Sequence, residues 1–356
     1  FVGDLIADDV FELWSAPIAG PAAAAIRLHP APTPNGDIST NSDSFLTISS
    51  DGEHVVYYGD LATDEQFELW SSPILGPAGA AVKLNLLLCS SCDVAAAFGA
   101  LAFRVTSDGS RVVFVADRTT PGSQELWSVP IAGPAVAGTR LSPDYAGSTG
   151  ISQRFWSLSG DGTRVQFQGV FSASNFRDLW SAEVGGSEGN AVALADSAAL
   201  DDLPGYGPLF SPDGATVLFD GDLVGTDENW LWSRPSDGSG SRVALTPFAI
   251  AGSNNVSYFD FLSDGSAIYR ADGELDERFE LFRVPITGGA SVKVSAGLPP
   301  GGDVDYFAMT PDRHGAIYFA DGTLDTATEL WITDSLVFAA DFEEEEDTSE
   351  WSLTAP

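Results

Sequence analysis

The chain has 356 residues, with 51 acidic side chains against 16 basic ones and a net charge of −35. That balance excludes nucleic acid and anionic lipid as partners, since both bind through Lys and Arg at phosphates, and it favours cations and basic partners. No stretch approaches the roughly 20 apolar residues of a membrane-crossing helix.

Taken in order, the chain opens on Phe1-Val2-Gly3-Asp4-Leu5, which matches Tyr57-Tyr58-Gly59-Asp60-Leu61 further on. The first strand therefore starts in mid-repeat, and a preceding segment is expected. An acidic loop leads to Glu12-Leu13-Trp14, an Ala-rich turn at 21–25 and a strand at Ile26–Leu28. The unit then recurs in full. A short apolar strand a (Phe45–Ile48) ends at the Asp51-Gly52 turn, and strand b (Val55–Tyr58) follows. A polar loop precedes strand c (Glu68-Leu69-Trp70), and a Gly-Pro turn leads to strand d (Val82–Leu84). Asp-Gly between apolar runs is a strong hairpin signal.

Two markers track the repeat. The Asp of the a–b turn returns at Asp108, Asp161, Asp213 and Asp264, and in degraded form at Asp312, at spacings of 48 to 57 positions. The acidic-Leu-aromatic triplet ends on Trp14, Trp70, Trp127, Trp180, Trp232, Phe282 and Trp331, and the fifth copy has Trp230 in the acidic place. Helical periodicity is missing throughout. Four short strands per repeat cannot bury their faces alone, but stacked radially they can. The expectation is an all-β, seven-bladed β-propeller of four-stranded antiparallel blades spanning 1–342. The constant phase of the triplet aromatics points to packing between blades.

Ser-Pro-Asp-Gly, an aromatic strand, an acidic loop and then Glu-Leu-Trp resemble the TolB-type, WD-like propeller repeat of secreted bacterial proteins. The resemblance implies a fold over nearly the whole chain. It implies little about function, because the superfamily includes scaffolds, binding proteins and peptidase lids.

The b–c loops carry recurring acids: Asp4 and Asp8, Asp60 and Asp64, Asp222 and Asp227, Asp272 and Asp276, Asp321 and Asp325. In a propeller these loops share one rim, and carboxylate clusters suit hard cations such as Ca²⁺. No loop has the Asp-x-Asp-x-Asp-Gly signature, and Asp-Gly turns form for backbone reasons alone. Ca²⁺ is the one cofactor considered. Cys89-Ser-Ser-Cys92 lacks the further ligands of a zinc site and the βαβ context of a redox enzyme, so it reads as a loop disulfide of an oxidising compartment. Gly185-Gly-Ser187-Glu-Gly189 formally matches a hydrolase nucleophile pattern but falls on a c–d turn with no elbow after it. His29, His54 and His314 read as solvated turn histidines, and Asn255-Val-Ser257 is a glycosylation sequon.

The first blade lacks strand a. After the acidic linker 343–349, the segment 350–356 resembles one, so Glu350, Trp351, Ser352, Leu353 and Thr354 are expected to pair with the edge at Phe1 and Val2. This closes the ring in cis or, in trans, joins subunits head to tail. The tail also resembles an ending found on secreted bacterial proteins. The reading is thus a non-enzymatic structural or interaction protein, secreted or at the cell surface, with itself, a cationic partner or Ca²⁺ as binding partner. A binding module with an acidic face stands as the alternative, and a hydrolase or lyase at the central channel comes last.

Overall fold

The computed structural model describes residues 1–6, 10–21, 24–40, 45–86, 88–94, 103–118, 120–144, 150–171, 178–195, 207–223, 228–246, 255–275, 277–322, 328–333 and 335–338; for 152–155 and 335–338 this covers the backbone alone. The chain divides into two compact units, Phe1–Asp196 and Ser197–Pro356.

Unit 1 holds four sheets. The first has three strands, β1 (Val2–Gly3), β2 (Glu12–Ser15) and β3 (Ile26–Arg27). The second is β4 (Leu46–Ile48), β5 (His54–Gly59), β6 (Glu68–Pro73) and β7 (Val82–Lys83). The third is β8 (Phe103–Val105), β9 (Arg111–Ala116), β10 (Glu125–Pro130) and β11 (Thr139–Arg140), and the fourth is β12 (Gly150–Leu158), β13 (Arg164–Val170), β14 (Asp178–Glu183) and β15 (Val192–Ala195). Unit 2 holds three four-stranded sheets: β16 (Leu209–Phe210) to β19 (Val243–Ala244), β20 (Val256–Phe261) to β23 (Val292–Lys293), and β24 (Val304–Met309) to β27 (Ser335–Phe338). Every strand pairing within these sheets is antiparallel and between sequence neighbours. The chain is all-β, built from the kind of sheet that makes β-propellers, with short 3₁₀ turns such as those at Ala78–Ala80 and Ala135–Ala137.

The Asp-Gly turns form for a local reason. Gly52 and Gly109 both sit at φ +73°, a region open to glycine. The preceding Asp accepts from a hydroxyl two residues earlier: Ser49 to Asp51 at 2.5 Å, Thr106 to Asp108 at 2.6 Å and Ser211 to Asp213 at 2.6 Å. Those hydroxyl bonds hold Asp51, Asp108 and Asp213 below the usual carboxylate range.

Within each unit, successive sheets pack face to face. Trp70 of the second sheet joins Leu13 and Leu28 of the first in one buried cluster, and Trp127 of the third joins Val56 and Leu69 of the second. In unit 2, Phe282 packs with Leu218 and Leu231 of the sheet before it. The triplet acids have their own role. Glu12 pairs with Arg27 at 3.4 Å, Glu68 with Lys83 at 2.7 Å, Glu125 with Arg140 at 3.2 Å and Glu280 with Lys293 at 3.2 Å. Both lysines of the chain are thus held against buried glutamates inside sheets.

His29 corrects an expectation. It follows β3 with no exposed surface, whereas a solvated turn residue was expected. Burial, with Arg27 adding repulsion, lowers its pKa to about 4. His314 does lie in an exposed turn, against Asp312, and His54 opens β5 half-buried.

Two outcomes follow from this packing. Leu69→Ala, at a fully buried position between sheets, lowers unfolding free energy by about 2–5 kcal/mol in denaturant titration. The folded His29 pKa lies below its unfolded value of 6.5, so the stability tied to its neutral form is complete above pH 6.5. It is lost as pH falls towards 4, a change on the order of 3 kcal/mol. His29→Leu flattens that part of a stability–pH curve.

Candidate functional site

The acidic loops are organised by backbone hydrogen bonds. Asp60, just after β5, accepts from the Asp37 N–H at 2.7 Å on one oxygen and from the Glu65 N–H at 3.0 Å on the other. Asp117, just after β9, does the same with Asp93 N–H at 2.7 Å and Gly122 N–H at 2.8 Å. Asp272, just after β21 (Ser266–Ala271), accepts from Asn255 N–H at 2.7 Å and Glu277 N–H at 3.3 Å. Each carboxylate therefore ties the b–c loop of its sheet to the segment that enters the sheet.

That entering segment is also bonded to the preceding sheet. Ile38 N–H donates to Phe11 O, Val94 to Phe67 O, Val256 to Asn229 O and Val304 to Phe279 O. Asp93 accepts from Phe67 N–H at 2.8 Å and Asp303 from Phe279 N–H at 2.7 Å. The acids are links in a chain of bonds running from one sheet to the next within a unit.

Asp37 and Asp60 make an unbalanced pair. Burial, then the charge of Asp60, raises Asp37 to about 6. Burial and Asp117 likewise raise Asp93. Among the described residues, none of Asp37, Asp60, Asp93 or Asp117 forms a salt bridge with Lys or Arg. Asp220, within β17 (Thr216–Gly221), is buried, is raised to about 7 by that burial and accepts from Asn229 Nδ2 at 2.8 Å.

The expected cation residues are placed as follows. Asp4 and Asp64 are exposed, and Asp64 accepts from Asn35 Nδ2 at 3.3 Å. Asp60 and Asp272 are buried in the links above, while Asp222 and Asp321 are half-buried. Asp8, Asp227, Asp276 and Asp325 lie outside the described residues. No three acids, histidines or cysteines among the described residues converge to hold a metal ion. Asp37, Asp93 and Asp303 were missed, although an Asp or Asn followed by Ile or Val recurs at 37, 93, 255 and 303 and marks the position.

Cys89 and Cys92 are joined by a disulfide with Cα atoms 5.0 Å apart, and Gln66 Nε2 bridges their carbonyls at 2.6 and 3.1 Å. Ser187 lies in the turn between β14 and β15, where its carbonyl accepts from Asn190 N–H. Val2 lies on the edge strand of the first sheet with Phe1 just before it, beside a cavity of about 180 Å³ lined by Phe1, Trp14, Leu28 and Leu46. Glu350, Trp351, Ser352, Leu353 and Thr354 lie outside the described residues.

No protein-family model matches the chain, and no curated protein matches it. Solved structures do align with it. Prolyl oligopeptidase B from Galerina marginata aligns at 10% identity and TM-score 0.44, covering 83% of this chain and 42% of that one. An oligogalacturonate lyase in complex with manganese aligns at 13% and 0.44, covering 90% and 81%. A puromycin-hydrolyzing peptidase from Mycobacterium tuberculosis aligns at 14% and 0.44, covering 81% and 44%. The chain spans less than half the length of either peptidase. The expectation of a non-enzymatic structural protein is corrected here: the aligned structures are peptidases and a lyase, and no feature of the described residues supports a non-enzymatic role. These alignments transfer no residue role.

The link geometry sets a stability outcome. Asp60→Ala removes the acceptor of the Asp37 and Glu65 N–H groups and costs about 1–3 kcal/mol. Asp64→Ala, at the exposed neighbour, stays within about 0.5 kcal/mol of the parent in the same denaturant series.

Proposed function

We propose that the acidic loop rim is the ligand face of a secreted, seven-bladed propeller of TolB type, and that this face takes a cation. The repeat count and the marker phase support the architecture, and the Cys89–Cys92 disulfide supports an oxidising compartment. The observation that carries the cation reading is the Asp37–Asp60 pair, in which burial and then the charge of Asp60 hold Asp37 at about 6 with no basic side chain to relieve it. Each carboxylate keeps lone pairs beyond those given to backbone N–H groups. A hard cation such as Ca²⁺ meets these oxygens, with carbonyls and water completing its shell.

Proton release tests this reading. A cation favours ionised Asp37, so Ca²⁺ added near pH 6 displaces protons, whereas at pH 8 it displaces none. At 100 times Kd it also stabilises the fold by about 2.7 kcal/mol. Asp37→Asn abolishes the release and weakens binding. Identical melting curves in millimolar Ca²⁺ and in chelator, together with no proton release at pH 6, would remove the cation from the reading.

A further inference from the structure

Three junctions between successive sheets are crossed by a four-residue turn of one kind. Residues 33–36 lead into the second sheet of unit 1, 89–92 into the third, and 299–302 into the last sheet of unit 2. In each, the fourth N–H donates to the first carbonyl: Gly36 to Thr33 at 2.9 Å, Cys92 to Cys89 at 3.0 Å and Gly302 to Pro299 at 3.0 Å. An Asp follows each turn, at 37, 93 and 303. Its carbonyl accepts from the N–H of the Asp just after strand b, at Asp60, Asp117 and Asp321 respectively. The next residue, Ile38, Val94 or Val304, donates to the sheet before.

What holds the turn closed differs. Thr33-Pro34-Asn35-Gly36 and Pro299-Pro300-Gly301-Gly302 have proline at the second place. At the third place both have a residue in the left-handed region, Asn35 at φ +67° and Gly301 at φ +85°. Those are the residues a type II turn demands, and such a turn closes on its own chemistry. Cys89-Ser90-Ser91-Cys92 has neither feature. Its ends are joined by a disulfide instead. Gln66 of the second sheet donates to both cysteine carbonyls, at 2.6 and 3.1 Å, so the closed turn also sets that contact between sheets.

The bond is placed for exchange. Ser90 and Ser91 are exposed, Cys89 is half-buried and Cys92 is buried, which directs an incoming thiolate to Cys89. A bridge that closes so small a loop adds little to the stability of the whole fold, so its effect is local.

We propose that the Cys89–Cys92 disulfide is a redox latch on the junction between the second and third sheets, the one of these three whose turn has no code of its own. An external dithiol opens it. Its thiolate attacks Cys89 Sγ, the Cys89–Cys92 bond breaks, and Cys92 leaves as a thiolate that takes a proton. The second thiol of the reagent then displaces Cys89 and closes a cyclic disulfide, so two electrons and two protons pass to the protein. With the turn open, the Asp93 and Val94 N–H bonds that join the sheets lose their support. An oxidising compartment locks the junction and a reducing one releases it. The latch acts on backbone bonds and requires no bound cation.

Amide hydrogen exchange followed by NMR, before and after dithiothreitol, reads the latch. Reduction is expected to speed exchange at Asp93 and Val94 roughly tenfold or more, while the equivalent Asp37 and Ile38 keep their rates. Cys89→Ser, which lacks the bond, shows the faster exchange without reagent. The double variant Ser90→Pro, Ser91→Gly writes type II chemistry into the turn and keeps Asp93 and Val94 protected after reduction. The latch is overturned if the bond resists dithiothreitol in the folded protein, as read by thiol titration, or if Asp93 and Val94 stay protected once it is reduced. Equal acceleration at Asp37 and Ile38 also overturns it, by making the bond a support of the whole fold. So does loss of protection in the reduced double variant to the extent seen in the reduced parent.

Discussion

The structure depends on burying strands that are apolar on both faces. In β5 and β9, nearly every side chain is removed from solvent, whichever face it points to. A sheet built around such a strand needs cover on both sides, and its own edge strands supply none. Only another sheet of the same kind can. Trp70, Trp127 and Phe282 fill gaps between neighbouring sheets, and their burial contributes at roughly 25 cal/mol per Å². The last sheet departs from this pattern, since β25 (Ala316–Ala320) alternates buried and exposed residues, with Ile317 and Phe319 partly open to solvent.

Stacked sheets must also be held in register, and polar chemistry does this. The segment entering each sheet bonds to the triplet strand of the sheet before, while an Asp at the end of strand b clamps that segment from the other side. A carboxylate suits the task because it accepts two N–H bonds at once and because charged acceptors bind roughly twice as strongly as neutral ones. The consequence is electrostatic. Acids required for structural bonds gather in the b–c loops and the segments entering the sheets, while Arg27, Lys83, Arg140 and Lys293 are held by glutamates within the sheets. Perturbed Asp37 and Asp93 are the mark left by that separation.

The same separation shapes the surface. Acidic residues give the chain a net charge of −35, and the c–d turns at 16–26, 73–82 and 129–138 carry none of that charge. Sequence shows the composition of each turn, but their adjacency arises because each Gly-Pro turn leans on the last strand of the sheet before it.

Sequence alone determined the repeat, the four-strand unit, the Asp-Gly hairpins and the missing strand of the first sheet, because each is written in local spacing and turn chemistry. Sheets of period-2 strands with phase-locked aromatics have few ways to be covered, so the all-β make-up of four-stranded antiparallel sheets was legible too. The burial of His29 was not, since a residue ending a short strand looks solvated until the neighbouring sheet closes over it. The roles of the acids were hidden for a related reason. Asp60 and Asp64 stand four positions apart in one loop, yet one is buried as a link and the other is exposed. What distinguishes them is the approach of Asp37 from a segment 23 residues away, a contact made only when one sheet is laid against the next.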